Sequence, residues 1–443
     1  MRKEGLASFK LAIPIILGEV AQISLHLIDT AMVGRVSYLH LGASSLTSNV
    51  INIPFILGIG LTIAIAQMTS LYHGRNDHKN VSHYLFNGMF IILLAALIIS
   101  VGMFFGSGIL YSLKQDPEVV DLAIPYFKIM TWSLIPGMLF IALKQYTDGL
   151  QYTRTAMILA LAALPVNVFL NWLLIFGNWG FPRLELIGAG WATFITRTLI
   201  FIILVLIVFI HPIYKKHIKI APRAWQLNKS TIKDILKIGV PSSMQVTMES
   251  GAFAVSGIII GTISAVALAA HQIALSIAAF TFVINMGMSH AISIRTSNAY
   301  SQNDWKKIDL IGRSGMRMTI VYGIMACLSF LIFRYAFAGL FTQNEEVTEL
   351  AVYLLILAAI FQVPDTVQVN SAGLLRGIKD VNTPTLIVAI AYWIIAIPLG
   401  SLLAFYFDRG AEGIWIGLIA GLTFSSIFLT KRFFGRVKWN LKK

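Results

Sequence analysis

Asp29 stands in the stretch SLHLIDTAMVGR (residues 24–35), a carboxylate near the end of the first long apolar run of the chain. On insertion scales an Asp at mid-membrane costs roughly 3 kcal/mol, so a carboxylate there needs partners or a task. Asn167 and Asn171, in LPVNVFLNWLLIFG, are four residues apart and share one helix face. Thr193 lies in GAGWATFITR. At 1.5 Å per residue, Asp29 and Asn171 each fall ~8 Å from the outer ends of their runs, and Thr193 ~9 Å. One carboxylate, two amides and a hydroxyl at matched depth supply hard oxygen ligands, which suit a small cation such as Na⁺ or a proton relay. The plainer alternative is that the two asparagines only hydrogen-bond across helices. Arg197, one turn beyond Thr193, could also hold Asp29 in a static ion pair, and Glu19 is another candidate partner.

A second set of acids lies in the other half of the chain. Glu249 falls in MQVTMESGAF, and Asp365 follows Pro364 in FQVPDTVQV. A proline inside a spanning helix frees a backbone carbonyl and bends the helix, which often marks a cavity wall. Intramembrane acids without an adjacent base read as functional by default, with interhelical polar contact as the alternative. Phe361, one turn before Asp365, and Phe253 offer aromatic faces to an organic cation, or simply pack. No HExxH, GxSxG, paired aspartate-rich motif or Cys/His cluster appears, so no catalytic residue and no enzyme activity is expected. The single cysteine, Cys327, excludes an internal disulfide.

The elements that must hold these residues are membrane helices. Of 443 residues 57% are hydrophobic and 12% charged, and the mean hydropathy is +0.77. Too little charge is present to cover a soluble protein of this size. Twelve apolar runs long enough to span a bilayer recur between residues 9 and 434. The net charge of +14 would suit a nucleic-acid partner, but its distribution argues otherwise. With the first residue inside, 26 of the 34 Lys and Arg fall on the inner side and 5 (Arg35, Lys114, Arg183, Arg334, Arg409) on the outer. Lys128, Lys144 and Arg197 lie within helices. That bias is the positive-inside rule, so the charge orients the protein and no nucleic acid is expected. The expectation is a multi-pass membrane protein with both termini cytoplasmic and the lipid bilayer as its surroundings.

The chain is also a duplication. At an offset of 227 Lys10 meets Lys237, Pro14 meets Pro241, Gly34 meets Gly261, Ser37 meets Ser264 and Gly60 meets Gly287. Asn76, Asp77 and Lys79 fall on Asn303, Asp304 and Lys306. At 228, DPEVVDLA at 116 matches NEEVTELA at 344, and Pro136 matches Pro364. One register held this long marks an internal repeat. Six spans per half make the repeat parallel: an N-lobe over 1–210, a basic linker over 211–231 and a C-lobe over 232–443. The fold class is all-α, with twelve transmembrane helices in two six-helix bundles, an architecture suited to alternating access. The acids break the symmetry: Asp29 meets Ser256, Glu249 meets Gln22 and Asp365 meets Gly137.

IDTAMVGRVS, ALAAHQIALSI, AISIRTSNAYSQND and SAGLLRGIKDVNTP resemble signature segments of the multidrug and toxic compound extrusion transporters. These form a branch of the multidrug/oligosaccharidyl-lipid/polysaccharide flippase superfamily, and the resemblance covers the whole chain. It implies export of cationic, amphipathic small molecules in exchange for Na⁺ or H⁺, with no other cofactor, by a protein taken to be monomeric. Within the family the chain is most similar to the bacterial NorM-like type, which implies placement in a bacterial inner membrane. That type has acids in helices one, seven and ten, matched by Asp29, Glu249 and Asp365. It uses polar residues of helices five and six, matched by Asn167, Asn171 and Thr193, with Na⁺ as the ion these four could hold. Some relatives carry an aspartate at the place of Asn171 and a tyrosine at that of Phe361, which makes an ion site in the C-lobe less secure. A lipid-linked sugar flippase is the alternative, though an anionic cargo would call for basic residues in the helices, where only Lys128, Lys144 and Arg197 lie against several acids.

Overall fold

The computed structural model describes residues 2–113, 115–218 and 225–442. Lys114 and residues 219–224 of the expected linker lie outside the described residues. Among those described, all regular structure is helical, and twelve helices are long and apolar enough to cross a bilayer. They are α1 (Arg2–Gly34), α2 (Tyr38–Gly74), α3 (His78–Ser112) and α4 (Pro117–Gly149). Then come α5 (Thr153–Phe176), α6 (Glu185–Ile210), α7 (Lys229–Gly261) and α8 (Ala265–Ser301). The last four are α9 (Trp305–Gly339), α10 (Glu345–Gly377), α11 (Asn382–Phe405) and α12 (Gly410–Lys442). The all-α, twelve-span class read from the sequence is the observed one. Helices of 33 to 37 residues, such as α1 and α2, measure roughly 50 Å or more and must tilt or project beyond the ~30 Å hydrocarbon core.

The repeat is visible in backbone detail. Ser37 caps α2 by accepting from the His40 amide, and Ser264 caps α8 by accepting from Ala267. Asp77 and Asp304 cap α3 and α9 in the same way. Each is preceded by an asparagine at φ 55°, Asn76 and Asn303, in the left-handed region that asparagine tolerates better than most residues. Gln151 (φ 67°) and Lys379 (φ 62°) form a third equivalent pair at an offset of 228.

The chain divides into two compact units. One is Leu17–Ser243; the other joins the residues up to Ile16 with those from Met244 onward. These bounds differ from the 1–210 and 232–443 division read from the sequence, and close glycine packing is the reason. In the first unit a Cβ on Gly60 of α2 would overlap the Ser243 backbone, and one on Gly239 would press on Leu61. Ser243 Oγ donates to the Leu57 carbonyl. In the second unit a Cβ on Gly287 of α8 would overlap Ile16. There Arg295 donates to the Glu4 carbonyl and Ser8 Oγ and pairs with the Glu4 carboxylate. Ile16 and Ser243 are equivalent at the offset of 227, so the opening segments of α1 and α7 are exchanged reciprocally.

The first part of the linker docks on the Leu17–Ser243 unit. Tyr214 donates to Thr155 Oγ1, and Ser82 Oγ donates to the His217 carbonyl. His217 Nδ1 meets His78 Nδ1 at 3.0 Å, with His73 edge-on. Beyond residue 224, Trp225 stacks on Phe86 at 3.9 Å between ring centroids.

Two outcomes follow from this packing. Gly60→Leu and Gly287→Leu are each expected to cost about 1–3 kcal/mol by overpacking, read as a lowered Tm in detergent. Gly102→Ala, where a Cβ meets nothing within 4 Å, should not lower it. Burial, with His73, His78 and Lys216 alongside, pushes the His217 imidazole down from its ordinary 6.5 to about 4. The undocked linker therefore binds the proton more readily. Docking should be complete above pH 6.5 and weaken as the pH falls toward 4. Limited proteolysis of the linker across that range checks this, with His217→Phe expected to flatten the profile.

Candidate ion and cargo sites

In the Leu17–Ser243 unit, three helices bring the expected residues together. Asp29 on α1 is 7% exposed, and Asn167 and Asn171 on α5 are fully buried. Asn171 Nδ2 donates to Asp29 Oδ1 at 2.6 Å and to Asn167 Oδ1 at 3.0 Å. Thr193 on α6 donates to Asp29 Oδ2 at 2.8 Å. The four-residue spacing of the asparagines is what stacks their amides one turn apart. Both carboxylate oxygens are thus held, and by neutral donors alone. Two polar atoms of the cluster, Asn171 Oδ1 and Asn167 Nδ2, are buried without a partner. The unpartnered amide oxygen of Asn171, with the Asp29 carboxylate, Thr193 Oγ1 and Asn167 Oδ1 in the same cluster, supplies oxygen donors of the kind a small cation could take up.

Arg197 does not pair with Asp29. Its Nη1 donates to Ser133 Oγ at 2.8 Å, and its guanidinium lies over Phe55 at 5.8 Å. Gly137 makes this possible, since a Cβ there would sit 3.2 Å from Arg197 Cδ. The position that carries Asp365 in the second repeat thus carries, in the first, the glycine on which an arginine rests. The positive charge remains near enough to act on Asp29 through space, without a contact within 4.0 Å among the described residues.

Glu19, read from sequence as a candidate partner for this region, is engaged elsewhere. Lys144 on α4, 2% exposed, contacts Glu19 Oε1 at 2.9 Å and Asp148 Oδ2 at 3.2 Å. The sequence reading missed this triad, although the i, i+4 spacing of Lys144 and Asp148 on one helix was its visible trace. Lys144 is therefore a neutralised cation, not a charge offered to a ligand.

The second unit holds the other acids. Glu249 on α7 accepts at Oε1 from Gln368 Nε2 (3.3 Å) and from the Tyr392 hydroxyl (3.2 Å). Ser425 on α12 donates to Gln368 Oε1 at 3.0 Å. Asp365 on α10 accepts from Asn285 Nδ2 at 3.3 Å, and Asn285 accepts in turn from Asn370 at 2.6 Å. Glu249 and Asp365 lie close enough for their charges to interact. Phe361 is 4% exposed and meets Phe253 and Trp415 edge-on, so it sits here as a core residue. Asn285, Asn370, Gln368 and Tyr392 were not singled out from the sequence. Gln368 is one turn from Asp365 and could have been found by spacing; the others come from helices whose registers the sequence leaves open.

Comparison with known proteins agrees with this architecture. The MatE family model matches residues 14–173 and again 241–402, two matches that begin 227 residues apart, the same offset as the internal repeat. The multidrug resistance protein NorM of Aliivibrio fischeri is 30% identical over 435 residues, covering 97% of this chain and 94% of that protein. A probable multidrug resistance protein NorM of Bacillus anthracis is 30% identical, covering 95% and 93%. Among solved structures, an outward-facing multidrug resistance MATE family transporter of the MOP superfamily superposes with a TM-score of 0.91. It is 19% identical and the match covers 99% of this chain and 97% of that one. The chain belongs to the MatE family of multidrug efflux transporters.

The buried triad gives a stability test. Lys144→Met leaves two carboxylates facing each other without their cation and is expected to cost about 3–5 kcal/mol. Adding Glu19→Gln and Asp148→Asn should recover most of that loss, as measured by thermal unfolding in detergent.

Proposed function

We propose that the protein is a secondary antiporter that exports cationic, amphipathic organic molecules in exchange for inward Na⁺ or H⁺. The observation that carries this is the Asp29 carboxylate, buried in a spanning helix and held by Asn171 and Thr193 without a basic partner in contact. A structural acid at such a position would be expected to have an ion pair, as Asp148 and Glu19 do with Lys144. Asp29 instead has only neutral hydrogen-bond partners, in a cluster that also holds the unpartnered amide oxygen of Asn171. A cation or proton arriving there down a 100 mV potential supplies ~2.3 kcal/mol per charge. Glu249 and Asp365 are the acids that would attract a cationic cargo in the other unit.

The balance of charge favours cationic cargo over an anionic lipid. Within the helices Lys144 faces two acids and Arg197 is bound to Ser133, while Glu249 and Asp365 take their hydrogen bonds from neutral groups, with the buried Arg376 of α10 acting on Glu249 through space. Family membership points the same way: the relatives named NorM are described as multidrug resistance proteins. The bias of basic residues supports a plasma-membrane protein with both termini in the cytoplasm.

Asp29→Asn is expected to abolish gradient-driven efflux while leaving the protein folded. Dye efflux from proteoliposomes, with Na⁺ and pH gradients imposed separately, checks this and identifies the coupling ion. Efflux at the wild-type rate in the variant would remove Asp29 from the mechanism. Glu249→Gln and Asp365→Asn should reduce export of cationic dyes more than of neutral ones; equal losses would count against direct attraction of the cargo.

A further inference from the structure

Helix α11 is not regular. Residues Ile390–Ala396 (IAYWIIA) form a π-helical segment inside it, and the Ile397 amide donates to the Tyr392 carbonyl five residues back. Such segments add about one residue to a turn and rotate what they carry. Their cause is legible here. Pro398 has no amide hydrogen to give to residue 394, and its ring would press on that carbonyl in an α-helix. Widening the preceding turn relieves both problems. The wider backbone also needs room, which α12 supplies. Gly413, Gly417 and Gly421 lie four residues apart on one face of α12. A Cβ on Gly417 would overlap the Ala396 carbonyl, and one on Gly421 the Ala391 carbonyl. The small-residue face is therefore shaped to this segment.

The side chain this distortion delivers is Tyr392. It is fully buried, with its ring edge-on to Phe253 and its hydroxyl 3.2 Å from Glu249 Oε1 and 3.3 Å from Gln368 Oε1. Gln368 Nε2 holds the same Glu249 oxygen, and Ser425 fixes Gln368. Glu249 Oε2 accepts no hydrogen bond among the described residues and is not among the sealed, unpartnered atoms. One carboxylate oxygen is pinned and the other is left open.

We propose that Tyr392, set in place by the π-helical segment, is a positioning residue that fixes Glu249 so that its free oxygen faces an incoming organic cation. This rests on the reading of Glu249 as the acid that attracts cationic cargo. Tyr392 acts through Glu249 and does not itself touch the cargo. The other charged groups acting on Glu249 are Arg376 and Asp365 of α10, and neither replaces the hydrogen bond to Oε1.

The test is a double-mutant cycle on ethidium binding to the full-length protein in detergent, read by fluorescence anisotropy without any ion gradient. Tyr392→Phe keeps the ring and its contact with Phe253 and removes the hydroxyl. A hydrogen bond to a charged group contributes enough that its loss should weaken binding roughly tenfold. In a Glu249→Gln background the same change should have little further effect, because the charge it serves is gone. Equal weakening in both backgrounds would show a purely structural role and overturn the inference, as would wild-type affinity in Tyr392→Phe alone. If Glu249→Gln itself leaves affinity unchanged, the cargo reading of Glu249 fails, and this inference with it. Failure of gradient-driven efflux alone would leave the binding cycle intact and count only against the antiport reading.

Discussion

A carboxylate in a spanning helix has to be satisfied from within the protein, and the choice of partner decides what it can do. Two solutions occur side by side in the Leu17–Ser243 unit. Glu19 and Asp148 share Lys144, whose single positive charge offsets one of the two carboxylates and ties α1 to α4. Asp29 is held by an amide and a hydroxyl, which orient it without tying it to a cation. Much of the local architecture follows from keeping these two solutions apart. Gly137 gives Arg197 a bed on α4, and Ser133 takes its guanidinium, so the nearest free cation is occupied before it can reach Asp29.

The second unit keeps its acids available by a related means. Glu249 and Asp365 are held by amides and a phenol, drawn from α8, α10 and α11. Here backbone irregularity does part of the positioning. A proline deforms α11, glycines on α12 accept the deformed turn, and Tyr392 lies within that segment. The two repeats share their caps, turns and some glycines, such as Gly60 and Gly287, and differ in their polar residues. Duplication supplied one frame, and the polar positions diverged within it.

The sequence was legible wherever a feature depends on local rules. Apolar run length set the twelve spans, and the repeated Ser, Asn and Asp at helix starts became equivalent caps with equivalent φ values. The grouping of Asp29 with Asn171 and Thr193 followed from helical depth, because the fixed rise per residue of a helix converts residue counts into ångströms. Three things were not legible, each for a physical reason. The Lys144 triad joins residues of α1 and α4, and no periodicity within one helix encodes which neighbour it faces. Tyr392 lies in a π-helical segment, where regular helical spacing does not assign faces. The division at Ile16 and Ser243 reflects glycine contacts between segments far apart in sequence, whereas loop positions mark only where a helix ends.

The reciprocal exchange of the opening parts of α1 and α7 constrains how the chain is made. The Leu17–Ser243 unit lacks part of its packing until the chain has been synthesised through Ser243. The first sixteen residues wait longer, since their partners Gly287 and Arg295 lie on the eighth helix. At ribosomal speeds of about 5–20 residues per second, that delay is roughly a quarter of a minute to a minute. Throughout it the start of the protein must stay inserted, unpaired and protected by lipid or the insertion machinery. Neither half of the duplicated gene can therefore finish its own product. Each half begins with a segment that completes the other, so the two halves are committed to assemble as one chain.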